Sequence, residues 1–280
     1  MRVAITGASG FVGRHVLHEL QTRDLDIVIT SRSPKHVSEQ ALKAEVVRMN
    51  IAHGPPDPYE SLGKPDVLIH LAWDGLPNYQ SPSHIETELP IQLNFLRTCL
   101  ASGLKKLVVT GTCFEYGKSQ GKLSEDSPSR PCTQYGAAKD ALRKQLEAIH
   151  SEQPFQFAWL RLFYLYGEGQ SKSSLYSSLA AAMLRGDAQF DMSAGDQVRD
   201  FLSVQEAARA IADLALLPAD MGVINVCSGS PITVSAQADK WINENGSNIK
   251  INLGHVPYAE FEPMSFWGDR TKLEKLLGTP

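Results

Sequence analysis

Apolar residues along this chain gather in short runs separated by stretches with a helical period. The first run, VAIT (3–6), ends in GASG. It is followed by Phe11, Val12, Val16, Leu17 and Leu20, which fall on one face of a helix. DIVIT (26–30), AEVVRM (44–49), DVLIHLA (66–72), KKLVVTGT (105–112) and FQFAWLRLF (155–163) read as further buried strands, and GVINVC (222–227) as the last. Helices fit at about 84–102 and about 133–151. Strands rich in Val, Ile and Leu that alternate with helices predict an α/β fold, a doubly wound parallel sheet covered on both faces. After residue 163 the alternation loosens. Segments 164–200 and 229–280 are expected to be richer in loops and to expose Tyr166, Tyr176, Tyr258, Phe266 and Trp267. The expected organisation is a nucleotide-binding domain of residues 1–163 and 201–228, with 164–200 and 229–280 as a smaller C-terminal substrate-binding subdomain. That subdomain would cover the C-terminal edge of the sheet, where open α/β sheets bind ligands.

Composition narrows the function classes. At 280 residues the chain can bury a sizeable core. The 27 Lys and Arg against 31 Asp and Glu give a net charge of −4, which argues against a general nucleic-acid binder but leaves room for a local small-anion site. Cys99, Cys113, Cys132 and Cys227 show neither CxxC nor zinc-like spacing, so no metal site is expected and a reducing cytoplasm is the expected location. The N-terminus runs straight into a strand, without signal-peptide features, and no apolar run reaches membrane-span length.

TGASGFVG places Gly7, Gly10 and Gly13 between the first strand and the first helix, the context that a dinucleotide-binding turn requires and the mark of a Rossmann-type domain. Gly7 allows the turn, Gly10 lets backbone N–H groups approach a pyrophosphate, and Gly13 lets the helix pack on the strand. A site selective for NAD normally ends strand two with an acid that binds the ribose 2′-hydroxyl. Here Ser31, Arg32 and Ser33 stand there, a set suited to a 2′-phosphate. NADP is therefore the expected cofactor, with NAD the alternative.

Within TQYGAAKD (133–140), Tyr135 and Lys139 stand one helical turn apart with only Gly136, Ala137 and Ala138 between them. An ordinary solvated helix can carry such a pair. The small spacers would also let something flat lie against the face. TGxxGxxG, a hydroxyl residue after strand five and Tyr-x-x-x-Lys together resemble the short-chain dehydrogenase/reductase superfamily. TGTCFEYG (110–117), RLFYLYG (161–167), QVRDFLSVQEAARAI (197–211), INVCSGSPITV (224–234) and GDRTKLEKLLG (268–278) narrow the resemblance to its extended branch, the nucleotide-sugar epimerases, dehydratases and reductases. The motifs occur in the family's order and span nearly the whole chain.

The resemblance implies a catalytic set of Tyr135, Lys139 and Thr112. Lys139 would bind the nicotinamide-ribose and lower the pKa of Tyr135, Tyr135 would exchange a proton with a sugar oxygen, and Thr112 would position that oxygen. It implies cofactor contacts from Gly7, Ser9, Gly10, Phe11, Val12 and Gly13, from Ser31 and Arg32, from Asn50 and Ile51, and from Leu71 and Ala72. Substrate contacts would come from Thr112, Cys113, Trp73, Tyr164 and Arg199, with Arg199 on the pyrophosphate of a nucleotide sugar. The alternative for Arg199 is a surface pair with Asp196 or Asp200. A homodimer is also implied.

Departures from the family pattern matter. Cys113 and Phe114 replace the Asp-Glu pair of the dehydratases, Tyr164 replaces an Asn, Asn50 an adenine-contacting Asp, and Glu88 an Asn. His70 reads as a core histidine, and 74–82 as a sugar-site loop or a structural one. The leading expectation is a 4-keto-6-deoxy nucleotide-sugar reductase using NADPH. The alternatives are a nucleotide-sugar 4-epimerase with bound NAD and a non-catalytic NADP sensor.

Overall fold

The computed structural model describes residues 1–33 and 43–278. Its elements begin β1 (Arg2–Thr6), α1 (Phe11–Gln21), β2 (Asp26–Ser31), β3 (Ala44–Arg48), α2 (Pro58–Ser61), β4 (Val67–His70) and α3 (Leu89–Ala101). They continue β5 (Lys106–Thr112), β6 (Gly121–Leu123), α4 (Gln134–Glu152), β7 (Gln156–Leu162), β8 (Tyr164–Tyr166), α5 (Leu175–Arg185), β9 (Gln189–Asp191) and β10 (Val198–Ser203). The remainder are α6 (Val204–Leu216), β11 (Gly222–Val226), β12 (Pro231–Thr233), α7 (Val234–Glu244), β13 (Lys250–Asn252), β14 (Phe266–Gly268) and α8 (Thr271–Leu277).

Seven strands form one sheet in the order β11-β7-β5-β4-β1-β2-β3, parallel throughout. This is the Rossmann-type sheet expected from the sequence. Its five inner strands are buried on both faces, while the edge strand β3 has no buried residue. Val3 and Ile5 of β1 face a core that includes Val16 and Leu20 of α1 and Ile211 and Leu214 of α6. Ala4, one residue out of phase, faces Phe95 and Leu96 of α3 and Leu142 and Leu146 of α4 on the other side.

Two expectations are corrected. The strand at 222–227 is not the last, because β12, β13 and β14 follow in small sheets with β10, β9 and β6. The aromatics after residue 163 are not all surface residues. Phe266 is 2% exposed. Tyr166 and Tyr176 pack on Trp241, with ring centres 5.0 and 5.1 Å away, in a separate core between α5 and α7. Asp200 ties these layers together, accepting from the backbone N–H groups of Ser228 (2.7 Å), Gly229 (3.0 Å) and Gly268 (3.1 Å). Among the described residues no helix is long and apolar enough to cross a membrane.

Candidate active site

The glycine turn follows β1 at the C-terminal edge of the sheet. Gly7 has φ +73°, and a Cβ there would lie 2.7 Å from the Ala72 amide nitrogen. A Cβ on Gly13 would lie 2.0 Å from the Gly7 carbonyl oxygen. Gly10 caps α1 without a side-chain hydrogen bond, so no side chain of the cap competes for the N–H groups of the first turn. A bare backbone cradle at the positive end of a helix fits a dinucleotide pyrophosphate. Ser9 is exposed beside it, Val12 packs on the core, and the Phe11 ring meets His15 edge-on at 6.2 Å.

Neighbouring strands complete the rim. Leu71 and Ala72 leave β4 with their N–H groups directed at Thr6, at 3.2 Å to its carbonyl and 3.4 Å to its hydroxyl. Asn50 accepts from the Ala52 N–H (3.1 Å) and opens a short turn at Ile51. The Ser31 hydroxyl accepts from the Ser33 N–H (3.1 Å). Arg32 is not the free cation that the sequence suggested. Its guanidinium donates to both carboxylate oxygens of Asp74, at 2.7 and 3.4 Å.

Thr112 ends β5 and caps the short turn Cys113–Tyr116. Its hydroxyl oxygen accepts from the Phe114 N–H (3.2 Å), while Glu115 accepts from the Thr112 N–H (2.9 Å). This fixes the rotamer and leaves the hydroxyl proton able to donate. Glu115 is fully buried and also takes hydrogen bonds from Trp159 (2.9 Å) and Arg161 (2.7 Å), so the base of the site is rigid. Cys113 is buried, and burial pushes its thiol pKa up, which makes it an inert wall rather than a nucleophile.

Helix α4 starts at its Thr133 cap, which accepts from the Gly136 N–H (3.0 Å). The small spacers serve packing first: a Cβ on Gly136 would lie 2.7 Å from the Phe114 carbonyl, so the missing side chain lets α4 press against the Thr112 turn. A flat group does lie on the Tyr/Lys face, and it is the Trp73 indole. The Lys139 ammonium sits 4.1 Å from that ring's centre and donates to the Thr110 carbonyl (2.9 Å). Trp73 donates from its indole N–H to His84 (3.1 Å), whose other ring nitrogen donates to the Asn78 carbonyl (2.8 Å). Trp73 thus covers the Tyr135–Lys139 pair.

The expected lowering of the Tyr135 pKa by Lys139 does not appear. Burial among Trp73, Tyr79 and His84 pushes the phenol well up, and the same burial brings Lys139 down to about 7. Desolvation outweighs attraction because it opposes charge on either group. His70 is a core residue, bonded to Thr6 (2.9 Å) and lowered to about 3 by burial and by Lys139.

On the substrate side Arg199 is 1% exposed, so the surface pairing with Asp196 or Asp200 is ruled out. It donates to Glu262 (2.8 Å) and to the carbonyls of Val198 (2.9 Å) and Met264 (3.3 Å), with the rings of Tyr164 and Phe266 each 5.3 Å from its guanidinium carbon. Trp73 and Thr112 thus belong to the Tyr135 neighbourhood, whereas Arg199 and Tyr164 form a separate cluster, joined to it through Phe114 (6.1 Å from Tyr164). Sequence reasoning missed Asp74, Glu262 and the Tyr79–Phe261 wall, and it noted Glu88 as a departure without a role. Glu88 accepts from the Asp74 N–H (3.2 Å) and from Gln92 (3.0 Å), so the residue that replaces the family's Asn pins the loop after β4. The only signal for that loop was its position after a strand.

A glycine cradle at β1, a Tyr-x-x-x-Lys pair on α4 and a hydroxyl at the end of β5 are the features of an extended short-chain dehydrogenase/reductase. The model of the NAD dependent epimerase/dehydratase family matches residues 3–227, and the chain belongs to that family. It is 26% identical over 270 residues to dTDP-6-deoxy-L-talose 4-dehydrogenase (NAD(+)) of Aggregatibacter actinomycetemcomitans, covering 96% of this chain and 99% of the relative. It is 25% identical to GDP-6-deoxy-D-talose 4-dehydrogenase of the same organism, covering 99% and 92%. Among solved structures, MoeE5 in complex with UDP-glucuronic acid and NAD superposes with a TM-score of 0.84 at 26% identity, covering 100% of this chain and 93% of that one.

Proposed function

We propose that the protein is an NAD-linked oxidoreductase acting at C4 of a nucleotide-activated 6-deoxy sugar, interconverting the 4-hydroxyl and 4-keto forms. The observation that carries this reading is the wall around Tyr135. Tyr79 lies 5.8 Å from the Tyr135 ring, Phe114 4.9 Å from Tyr79, and Phe261 6.1 Å from Tyr79. An aromatic wall beside the proton-transferring hydroxyl suits a sugar whose C6 is a methyl group and disfavours a C6 hydroxyl or carboxylate. Both talose 4-dehydrogenase relatives are named for 6-deoxy sugars. Cys113 and Phe114, in place of an acid–base pair, supply no groups for eliminating water. NAD rather than NADP is the proposed cofactor, because the Arg32 guanidinium is already paired with Asp74.

Nicotinamide bound on the Tyr135–Lys139 face supplies or accepts the hydride. The protein does the rest. The Tyr135 hydroxyl donates its proton to the C4 oxygen when a ketone is reduced and recovers it in the reverse direction. The Thr112 hydroxyl donates to the same oxygen and orients the carbon. Lys139 would hold the ribose hydroxyls of the cofactor once the Trp73 indole leaves its ammonium. An epimerase acting on pairs of C4 epimers would use the same groups.

The test mixes the protein with nucleotide-linked 4-keto-6-deoxyhexoses and NADH deuterated at C4. The expected result is stoichiometric loss of NADH with deuterium at the sugar C4. Tyr135→Phe should fold and bind cofactor but lose about 10²- to 10⁴-fold in turnover. Interconversion of C4 epimers without net cofactor oxidation would replace this reading with an epimerase.

A further inference from the structure

We propose that Asp74 selects NAD over NADP by supplying, from the loop after β4, the carboxylate that the end of β2 lacks. The inference rests on the dinucleotide reading of the glycine cradle. In the sheet, β1 lies between β2 and β4. Arg32 directly follows β2, and Asp74 follows β4 by a few residues, so their pair spans the C-terminal end of β1, where the glycine turn stands. The carboxylate meets the guanidinium through two contacts, at 2.7 and 3.4 Å. The pair is exposed, at 67% and 62% for the two side chains, so the ion pair itself contributes little to stability.

What fixes Asp74 is its backbone. Its N–H donates to Glu88 (3.2 Å), and Glu88 is held in turn by Gln92 (3.0 Å), neither contact depending on the Trp73 indole that lies over Lys139. A carboxylate anchored in this way keeps Arg32 neutralised, and any 2′-phosphate that reached Arg32 would meet Asp74 as well. The site thus carries both an occupied receptor and a repulsive group against NADP, while a 2′-hydroxyl meets neither penalty. Glu88 acts here as a positioning residue for the loop.

Calorimetry on the full chain with NAD+ and NADP+ tests this. Wild type should bind NAD+ more tightly. Asp74→Asn keeps the side-chain shape and frees Arg32, so NADP+ should bind about tenfold more tightly while NAD+ changes much less. Adding Arg32→Ala to Asp74→Asn should remove the NADP+ gain. Raising salt should narrow the wild-type preference, because the repulsion lies at the surface. An unchanged NAD+/NADP+ ratio in a folded Asp74→Asn protein, or a wild type that prefers NADP+, would overturn the inference and leave the dinucleotide site standing. A folded wild type that binds neither dinucleotide would remove both.

Discussion

Lys139 is the residue where burial and function pull hardest against each other. Its pKa falls from 10.5 to about 7, with burial the largest cause and Glu115 and Glu88 opposing. A depressed pKa means that the unfolded chain binds a proton more readily than the folded one. The stability that this group contributes is therefore fully present above about pH 10.5 and is lost as the pH falls through about 7. Lys139→Met should be more stable than wild type near neutral pH, and its advantage should shrink by roughly 2–3 kcal/mol between pH 7 and pH 9. Urea denaturation of both proteins across that range checks it, and a constant difference would mean that Lys139 titrates normally in the fold. The candidate site was legible to this level because Gly7, Gly10, Gly13, Tyr135, Lys139 and Thr112 sit in local spacings that sequence displays directly. Asp74 and Glu262 were not, because each meets its arginine across 42 and 63 residues of chain, and no local pattern encodes such a pairing.

At the scale of elements, the fit of α4 against the Thr112 turn depends on Gly136. A Cβ there would stand 2.7 Å from the Phe114 carbonyl and 3.0 Å from the Thr133 hydroxyl, with backbone as the nearer obstacle. Gly136→Ala should cost about 1–3 kcal/mol in a denaturation experiment and reduce turnover as well, since the same movement separates Tyr135 from Thr112. A stable and fully active variant would show that the two elements can part without consequence. The five inner strands of the sheet were readable because each is a mostly apolar run buried on both faces, whereas the edge strand β3 showed itself only through Val46 and Val47. Strands such as β8, β9 and β12, three residues each, are too short to show a period of two. The interior of the C-terminal layers was hidden for a related reason. Tyr166, Tyr176 and Trp241 converge from three elements, and an aromatic in a sparse segment looks the same in sequence whether it faces solvent or a neighbour.

For the whole molecule, the last helix determines what one border of the sheet offers to the outside. Strand β11 pairs with β7 along one side only. Lys272 of α8 donates from its ammonium to the carbonyls of Met221 (2.8 Å), just before that strand, and of Val223 (2.6 Å) on it, after the chain has passed back through β14. A strand with bare carbonyls and amides is a template for a second copy of itself, and a lysine held against it is a natural deterrent. Lys272→Glu would set a carboxylate against those carbonyls and loosen α8. Light scattering on warming should then show self-association at lower temperature than for wild type, while the candidate site, at the far end of the strands, should be unaffected; unchanged scattering would show that α8 guards nothing. If α8 is such a safeguard, a chain shortened before it that retains every strand of the large sheet should clump rather than misfold.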